Sequence, residues 1–156
     1  MTINPKLMPI DLRIIELLQK DARRTNKDLA QEVGIAQSTC HERIRSLRAR
    51  GVIRGWHADV DPVALGRPIQ ALISVRLQPK TTASLRAFQQ AVLAARETLA
   101  VIMVSGADDF VIEIAAPDIE SVRDFVLQHI TSRTDVVDAR TTIIYEQIRV
   151  PYVAPM

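Results

Sequence analysis

The sequence predicts an α+β protein, an N-terminal helix-turn-helix followed by a C-terminal ferredoxin-like βαββαβ domain. Three observations carry this. Residues 11–51 hold three short runs of apolar residues at helical spacing, separated by turn signals and closed by glycines. Beyond residue 67 the pattern becomes β-branched runs interleaved with two amphipathic helical runs, in the order of a split βαβ unit. The charge is also divided. Residues 1–56 hold 11 Lys/Arg against 6 Asp/Glu, and residues 57–156 hold 9 against 12. A positive first half expects a polyanion, and the second half a different task.

In the first half, Leu12, Ile15 and Leu18 recur at helical spacing, and Asp11 is the expected N-cap of the first helix. Residues 21–25 break the period. A second, short helix is expected from Thr25 or Asn26, with Leu29, Ala30 and Val33 facing inward and Gly34 at its C′ position. Cys40, Ile44 and Leu47 then fall at i, i+4 and i+7 on the core face of a third helix over residues 37–50, stopped by Gly51.

The opposite face of that third helix shows Gln37, Ser38, His41, Glu42, Arg45 and Arg48. A helix fits the major groove of DNA, where each base pair presents its own donor and acceptor pattern. Between Ala36 and Trp56 stand five arginines (Arg43, Arg45, Arg48, Arg50 and Arg54) and one acid, Glu42, so phosphate attraction is locally strong. A charge run alone is more often a solvated face; the helix, glycine turn, helix spacing favours DNA. The expected contacts are Gln37, Ser38, Thr39, His41, Glu42, Arg45 and Arg48. Ser38, His41, Glu42 and Arg45 are the base-reading candidates, whereas Thr39 and Arg48 suit phosphates, which position without specifying. Arg43 lies beside the core face at Ile44, where an intradomain salt bridge competes for it, so Arg45 is preferred.

The expected domains are residues 1–55, a linker strand over 56–66 and a second domain over 67–156. Residues 52–60 alternate well enough for a strand, which Asp61-Pro62 ends. Further strands are expected over 68–77, 101–105, 110–115 and 139–150, helices over 83–94 and 119–130, and a turn over 106–109. Two helices on one face leave the other sheet face open. Ile69, Ala71, Ile73 and Val75 alternate with Gln70, Leu72, Ser74 and Arg76, so both faces carry apolar groups. A second copy of the chain would bury the open face. The resulting homodimer would address two DNA half-sites about 34 Å apart.

Other classes find little support. The 47% hydrophobic and 24% charged residues are those of a globular protein rather than a disordered or fibrous one. No run approaches the roughly 20 apolar residues of a membrane span, and the start lacks an apolar signal region, so a cytoplasmic location is expected. The lone Cys40 has no disulfide partner. His41, His57 and His129 are scattered, so no metal site is expected. Five glycines spell no P-loop or dinucleotide fingerprint, and no cofactor is expected. By residue type Asp108-Asp109 offers a catalytic pair, but adjacent residues in a turn diverge; a loop or ligand contact is preferred, and no catalytic residue is assigned. Trp56 is assigned to domain or dimer packing before base stacking.

The whole pattern resembles the Lrp/AsnC (feast/famine) family of transcription regulators. The likeness rests on Asp11 with Ile14-Ile15, Asp21-Ala22-Arg23, Leu29-Ala30, Val33-Gly34-Ile35, Arg43-Ile44, Leu47 and residues 51–56. In the second half it rests on Val104-Ser105-Gly106 with Asp109, and on residues 138–142. The resemblance implies a winged helix-turn-helix joined to a ligand-sensing βαββαβ domain, with dimers assembling further, commonly into octameric discs. It also implies a small effector, usually an amino acid, bound beside the loop after the second strand of that domain. In this chain the loop is Ser105, Gly106, Ala107, Asp108 and Asp109. Glycine would let the backbone approach the ligand, and a carboxylate would receive an α-ammonium.

Two departures stand out. Ala36 occupies the place of the family's usual capping serine, weakening that cap by ~1 kcal/mol. Ala107-Asp108 stands where the family often has an aromatic just before the aspartate, which opens an alternative, an effector-independent architectural DNA protein. An enzyme reading, on the two-domain plan of tetrapyrrole decarboxylases, has only His129 as an imidazole beyond the linker.

Overall fold

The computed structural model describes residues 7–150 and 153. They form two units. One comprises the described residues up to Ala58 together with 148–150 and 153, and the other spans Asp59–Gln147.

The first unit holds α1 (Pro9–Lys20), α2 (Asn26–Val33) and α3 (Gln37–Ala49). Helix α1 opens with proline at its first position, where a missing N–H costs nothing. Met8 is therefore the N-cap, and Asp11 lies one turn inside, correcting the sequence reading. Its carboxylate accepts the Met8 N–H at 3.0 Å. Thr25 caps α2 by accepting the Asp28 N–H. Gly34 then takes φ 72°, and the Gly34 and Ile35 amides donate back to Gln31 and Ala30. This turn satisfies the last carbonyls of α2 and aims α3. The core consists of Ile14, Leu17, Leu18, Leu29, Ala30, Cys40 and Leu47, with Ile44 half-buried beside it.

No strand forms over residues 52–60, contrary to the alternation there, and residues 56–66 hold only a 3-10 turn at Val63–Leu65. Alternation prepares a strand, but a ladder also needs a neighbouring strand for the backbone groups; Val52 and Ile53 instead donate to the Leu47 carbonyl at 2.9 and 3.2 Å, and residues 54–60 pair with no strand among the described residues.

The second unit contains β1 (Ile69–Leu77), α4 (Thr82–Leu93), β2 (Thr98–Met103), β3 (Phe110–Ala116), α5 (Ile119–Phe125), which runs on as a π-helical stretch Val126–Thr131, and β4 (Val136–Ile144). The sheet order is β2-β3-β1-β4, every neighbouring pair antiparallel. This is the ferredoxin-like arrangement. Ala71, Ile73, Val75 and Leu77 of β1 face Phe88 and Val92 of α4, Val122 and Phe125 of α5, and Ile130. On the opposite sheet face Gln70, Leu72 and Ser74 are half-buried. Strand β4 begins and ends earlier than its composition suggests. Its ladder runs from Val136 opposite Leu77 to Ile144 opposite Gln70, and β1 offers only Ile69 beyond that point. Strand β2 ends at Met103, and the Val104 amide continues its register by bonding the Asp109 carbonyl at 2.9 Å, which closes the loop.

Candidate nucleic-acid interface and ligand loop

Helix α3 buries Cys40 and Leu47 on one side. Gln37, Ser38, Thr39, His41, Glu42, Arg45 and Arg48 are all exposed, and Ser38, His41, Glu42 and Arg45 follow one another at i, i+3, i+4 and i+7 along one stripe. Thirteen residues at ~1.5 Å each give a rod of about 20 Å, long enough to lie in a major groove. Ala36 has the extended conformation of an N-cap, φ −65° and ψ 147°, but no side-chain bond. The start of α3 is tied instead by Asn26, whose Nδ2 donates to the Gln37 carbonyl at 2.8 Å.

Charge pairing separates the reading face from the rest of the unit. Arg13 and Lys20 pair with Glu16, and Arg13 and Arg24 with Glu32. Hydrogen bonds from Lys20 and Arg13 hold the Glu16 carboxyl below its ordinary value. Arg43 is taken inside the unit, its Nη1 at 2.9 Å from Asp11, which is 4% exposed. The only ion pair of Arg45 among the described residues is with Glu42 at 3.6 Å, and Arg48, Arg50 and Arg54 form none among the described residues. Arg13 and Lys20 of α1 and Arg24 before α2 are thus paired with carboxylates, whereas Arg48, Arg50 and Arg54 are left available where phosphates would meet them. The structure adds Arg54 to the sequence candidates, since it shares a shallow groove with His41, Arg45 and Arg48. Its place in the basic run was the one sequence signal for it; the Gly51 turn, at φ 70°, brings it back to the helix.

Between β2 and β3, Ser105, Gly106 and Ala107 are exposed, and Asp108 and Asp109 half-buried. Gly106 has φ 130°, a conformation L side chains rarely adopt. Asp109 is bound to the end of β1. Its amide donates to the Val75 carbonyl at 2.9 Å, and its carboxylate accepts the Leu77 N–H at 2.9 Å and pairs with Lys80 at 2.8 Å. Burial works to raise its pKa, but the Lys80 and Leu77 bonds together outweigh it and hold the carboxyl below the usual range. Asp108 receives Arg140 Nη2 at 2.8 and 2.7 Å. Both carboxylates therefore already have cationic partners. Arg140 and Lys80 lie far from the loop in sequence, and only the sheet register brings them to it.

No group of three or more metal-binding side chains occurs among the described residues, nor is any of their helices long and apolar enough to cross a membrane. Trp56, 42% exposed, lines a groove of the first unit with Leu12, Ile15 and Leu18 of α1.

Residues 9–54 match the family described as winged helix-turn-helix DNA-binding. Residues 70–152, more than half of the chain, match the Lrp/AsnC ligand binding domain. The chain belongs to the Lrp/AsnC family. It is a DNA-binding transcription regulator of the Lrp/AsnC type with a ligand-binding domain. This Lrp/AsnC chain is 45% identical over 144 residues to the HTH-type transcriptional regulator AldR of Mycobacterium tuberculosis, spanning 92% of this chain and 80% of that one. It is 35% identical over 149 residues to the leucine-responsive regulatory protein of Rhizobium meliloti, spanning 96% of each. Among solved structures, a transcriptional regulator of Neisseria meningitidis in complex with L-Met superposes with a TM-score of 0.84 at 26% identity, covering 93% of this chain and 94% of that one.

Proposed function

We propose that this regulator binds a pseudo-palindromic operator as a homodimer, and that a small amino acid bound beside the Ser105, Gly106, Ala107, Asp108 and Asp109 loop changes its DNA affinity or assembly. The observation that carries the reading is the exposed face of α3 opposite a buried Cys40 and Leu47, on which Arg45 has only the 3.6 Å contact with Glu42 and Arg48 has no ion pair among the described residues. Gln37, Ser38, Thr39, His41, Glu42, Arg45 and Arg48 supply the contacts. Ser38, His41, Glu42 and Arg45 read bases, while Thr39 and Arg48, joined by Arg54, hold phosphates. A dimer covers the open sheet face, and further assembly toward an octamer follows the family habit. The site of action is the cytoplasm.

An amino-acid effector is supported by the L-Met complex of the Neisseria relative and by the leucine-responsive name of the Rhizobium one. In this chain the Asp109 carboxylate is committed to Lys80 and Leu77, so it shapes the loop rather than receiving an ammonium group. Backbone groups around Gly106 and the Ser105 hydroxyl remain for the ligand, and an effector ammonium competes with Arg140 for Asp108. Two measurements test the proposal. Salt-dependent binding to the protein's own upstream DNA is compared with random DNA, and equal affinity for both sinks the operator reading. Thermal shifts across a panel of amino acids test the sensor, since a ligand at about 100 times its Kd stabilises by ~2.7 kcal/mol. A flat panel with intact operator binding favours the architectural reading, for which Ala107 and the Asp108–Arg140 pair are the motive.

A further inference from the structure

On the exposed stripe of α3, Ser38, His41, Glu42 and Arg45, only Glu42 carries a charge of the same sign as DNA, and folding makes little use of it. Glu16 and Glu32 each hold two cations of the same unit, and Asp11 is paired with Arg43. Glu42 has, among the described residues, a single ion pair, a long one with its Oε1 3.6 Å from Arg45 Nη1 and both side chains largely exposed. A phosphate backbone repels such an acid. Glu42 therefore opposes binding unless a base edge offers it a donor. A carboxylate only accepts hydrogen bonds and a guanidinium only donates them. In the major groove adenine shows an acceptor beside its donor, guanine two acceptors, thymine an acceptor and a methyl group, and cytosine a donor alone. Cytosine thus matches Glu42 without conflict, as guanine matches Arg45. These two targets are neighbours within one base pair, where the cytosine N4 amino group donates to guanine O6 and the two atoms lie about 2.9 Å apart. A donor and an acceptor held 3.6 Å apart on one turn of α3 complement that edge in both sign and spacing.

We propose that Arg45 and Glu42 act as one couplet that reads a single G·C base pair in each half-site, Arg45 donating to the guanine and Glu42 accepting from the cytosine N4 amino group. The inference rests on the operator reading above and adds the identity of the base pair. Arg45 supplies the attraction and Glu42 the rejection of wrong pairs. With adenine in the place of the guanine, thymine O4 faces the carboxylate, acceptor against acceptor, and adenine N6 faces Arg45, donor against donor. A reversed pair sets the guanine acceptors against the carboxylate. The acid thus weakens binding to all DNA through the phosphates and weakens binding to the wrong pair further, which is how specificity is gained at the expense of affinity.

Selection by the full-length protein from a pool of DNA duplexes with a randomised core, followed by fluorescence anisotropy on single duplexes that differ at one position, tests this. The unaltered protein should enrich a pattern with a G·C pair at a fixed place in each half, and A·T there should weaken binding on the order of tenfold. The isosteric Glu42→Gln should lose most of that discrimination while binding unrelated duplexes more tightly. A gain in general affinity together with a loss of specificity is a combination that a damaged fold does not produce. Arg45→Lys keeps the charge, and with it the salt dependence, yet should relax the same position, because a point charge lacks the fork that matches guanine. An enriched pattern without that G·C pair overturns the proposal, as does undiminished discrimination in Glu42→Gln or relaxation at different positions in the two variants. A pool from which the unaltered protein enriches no pattern removes the operator reading and this inference with it.

Discussion

Arg43 and Arg45 stand two positions apart on α3, and the structure gives them different surroundings. Arg43 reaches inward to Asp11, whose side chain is 6% exposed, while 28% of the Arg43 side chain remains exposed. Arg43→Ala leaves a buried carboxylate with the Met8 N–H but without its charge partner. Breaking a fully buried pair costs about 3–5 kcal/mol. Because water reaches this pair from the arginine side, we expect ~2 kcal/mol, close to the value of one charge-assisted hydrogen bond. That is a large share of the ~5–15 kcal/mol that stabilises a domain. Arg45 is 75% exposed beside Glu42, so Arg45→Ala should change stability by less than ~0.5 kcal/mol. Its effect is expected on DNA instead, a loss of ~1–3 kcal/mol of operator affinity if it reads a base. Urea unfolding followed by Trp56, the one tryptophan of the sequence and a member of the first unit, reports the stability of that unit. Fluorescence anisotropy with labelled operator reports binding. A stable Arg43→Ala protein that has lost operator binding, or an Arg45→Ala protein that unfolds early yet binds normally, would refute the assignment of these two side chains.

The remaining predictions use the same unit and the loop. Ala36→Ser should restore the missing cap of α3 and stabilise by ~1 kcal/mol, seen as a higher urea midpoint; no gain would mean that the Asn26 tie already does all the work at that helix start. Cys40, fully buried and with its thiol pKa pushed up by burial, should resist a thiol reagent in the native protein and react at once after denaturation. Asp109 has a folded pKa below its unfolded one, so it stabilises fully above the ordinary carboxylate range, near pH ~4. That contribution fades as pH falls toward the lowered folded value. Asp109→Asn should therefore flatten the acid limb of the stability profile, and an unchanged limb would contradict the Lys80 and Leu77 bonds.

Helical spacing alone determined most of the first unit. Leu29 and Val33, then Cys40, Ile44 and Leu47, recur at the intervals of three and four that mark one face of a helix. Gly34 and Gly51 mark turns through a conformation that other residues adopt at a cost. The exposed stripe of α3 was legible for the same reason, because a helix fixes what lies opposite its buried side. The β-branched runs similarly announced β1 and β3, and the order of elements announced the ferredoxin-like sheet. Spacing records which face is apolar but not what will meet it. The tertiary structure therefore decided every matter that needed a distant partner. It moved Asp11 from cap to the partner of Arg43, left residues 52–60 without a ladder and cut β4 short where β1 runs out. It also gave Asp109 to Lys80, Asp108 to Arg140 and Val153 to Gln19. Each of these is an interaction between groups far apart in sequence, whose strength depends on a distance of about 3 Å that no local pattern encodes.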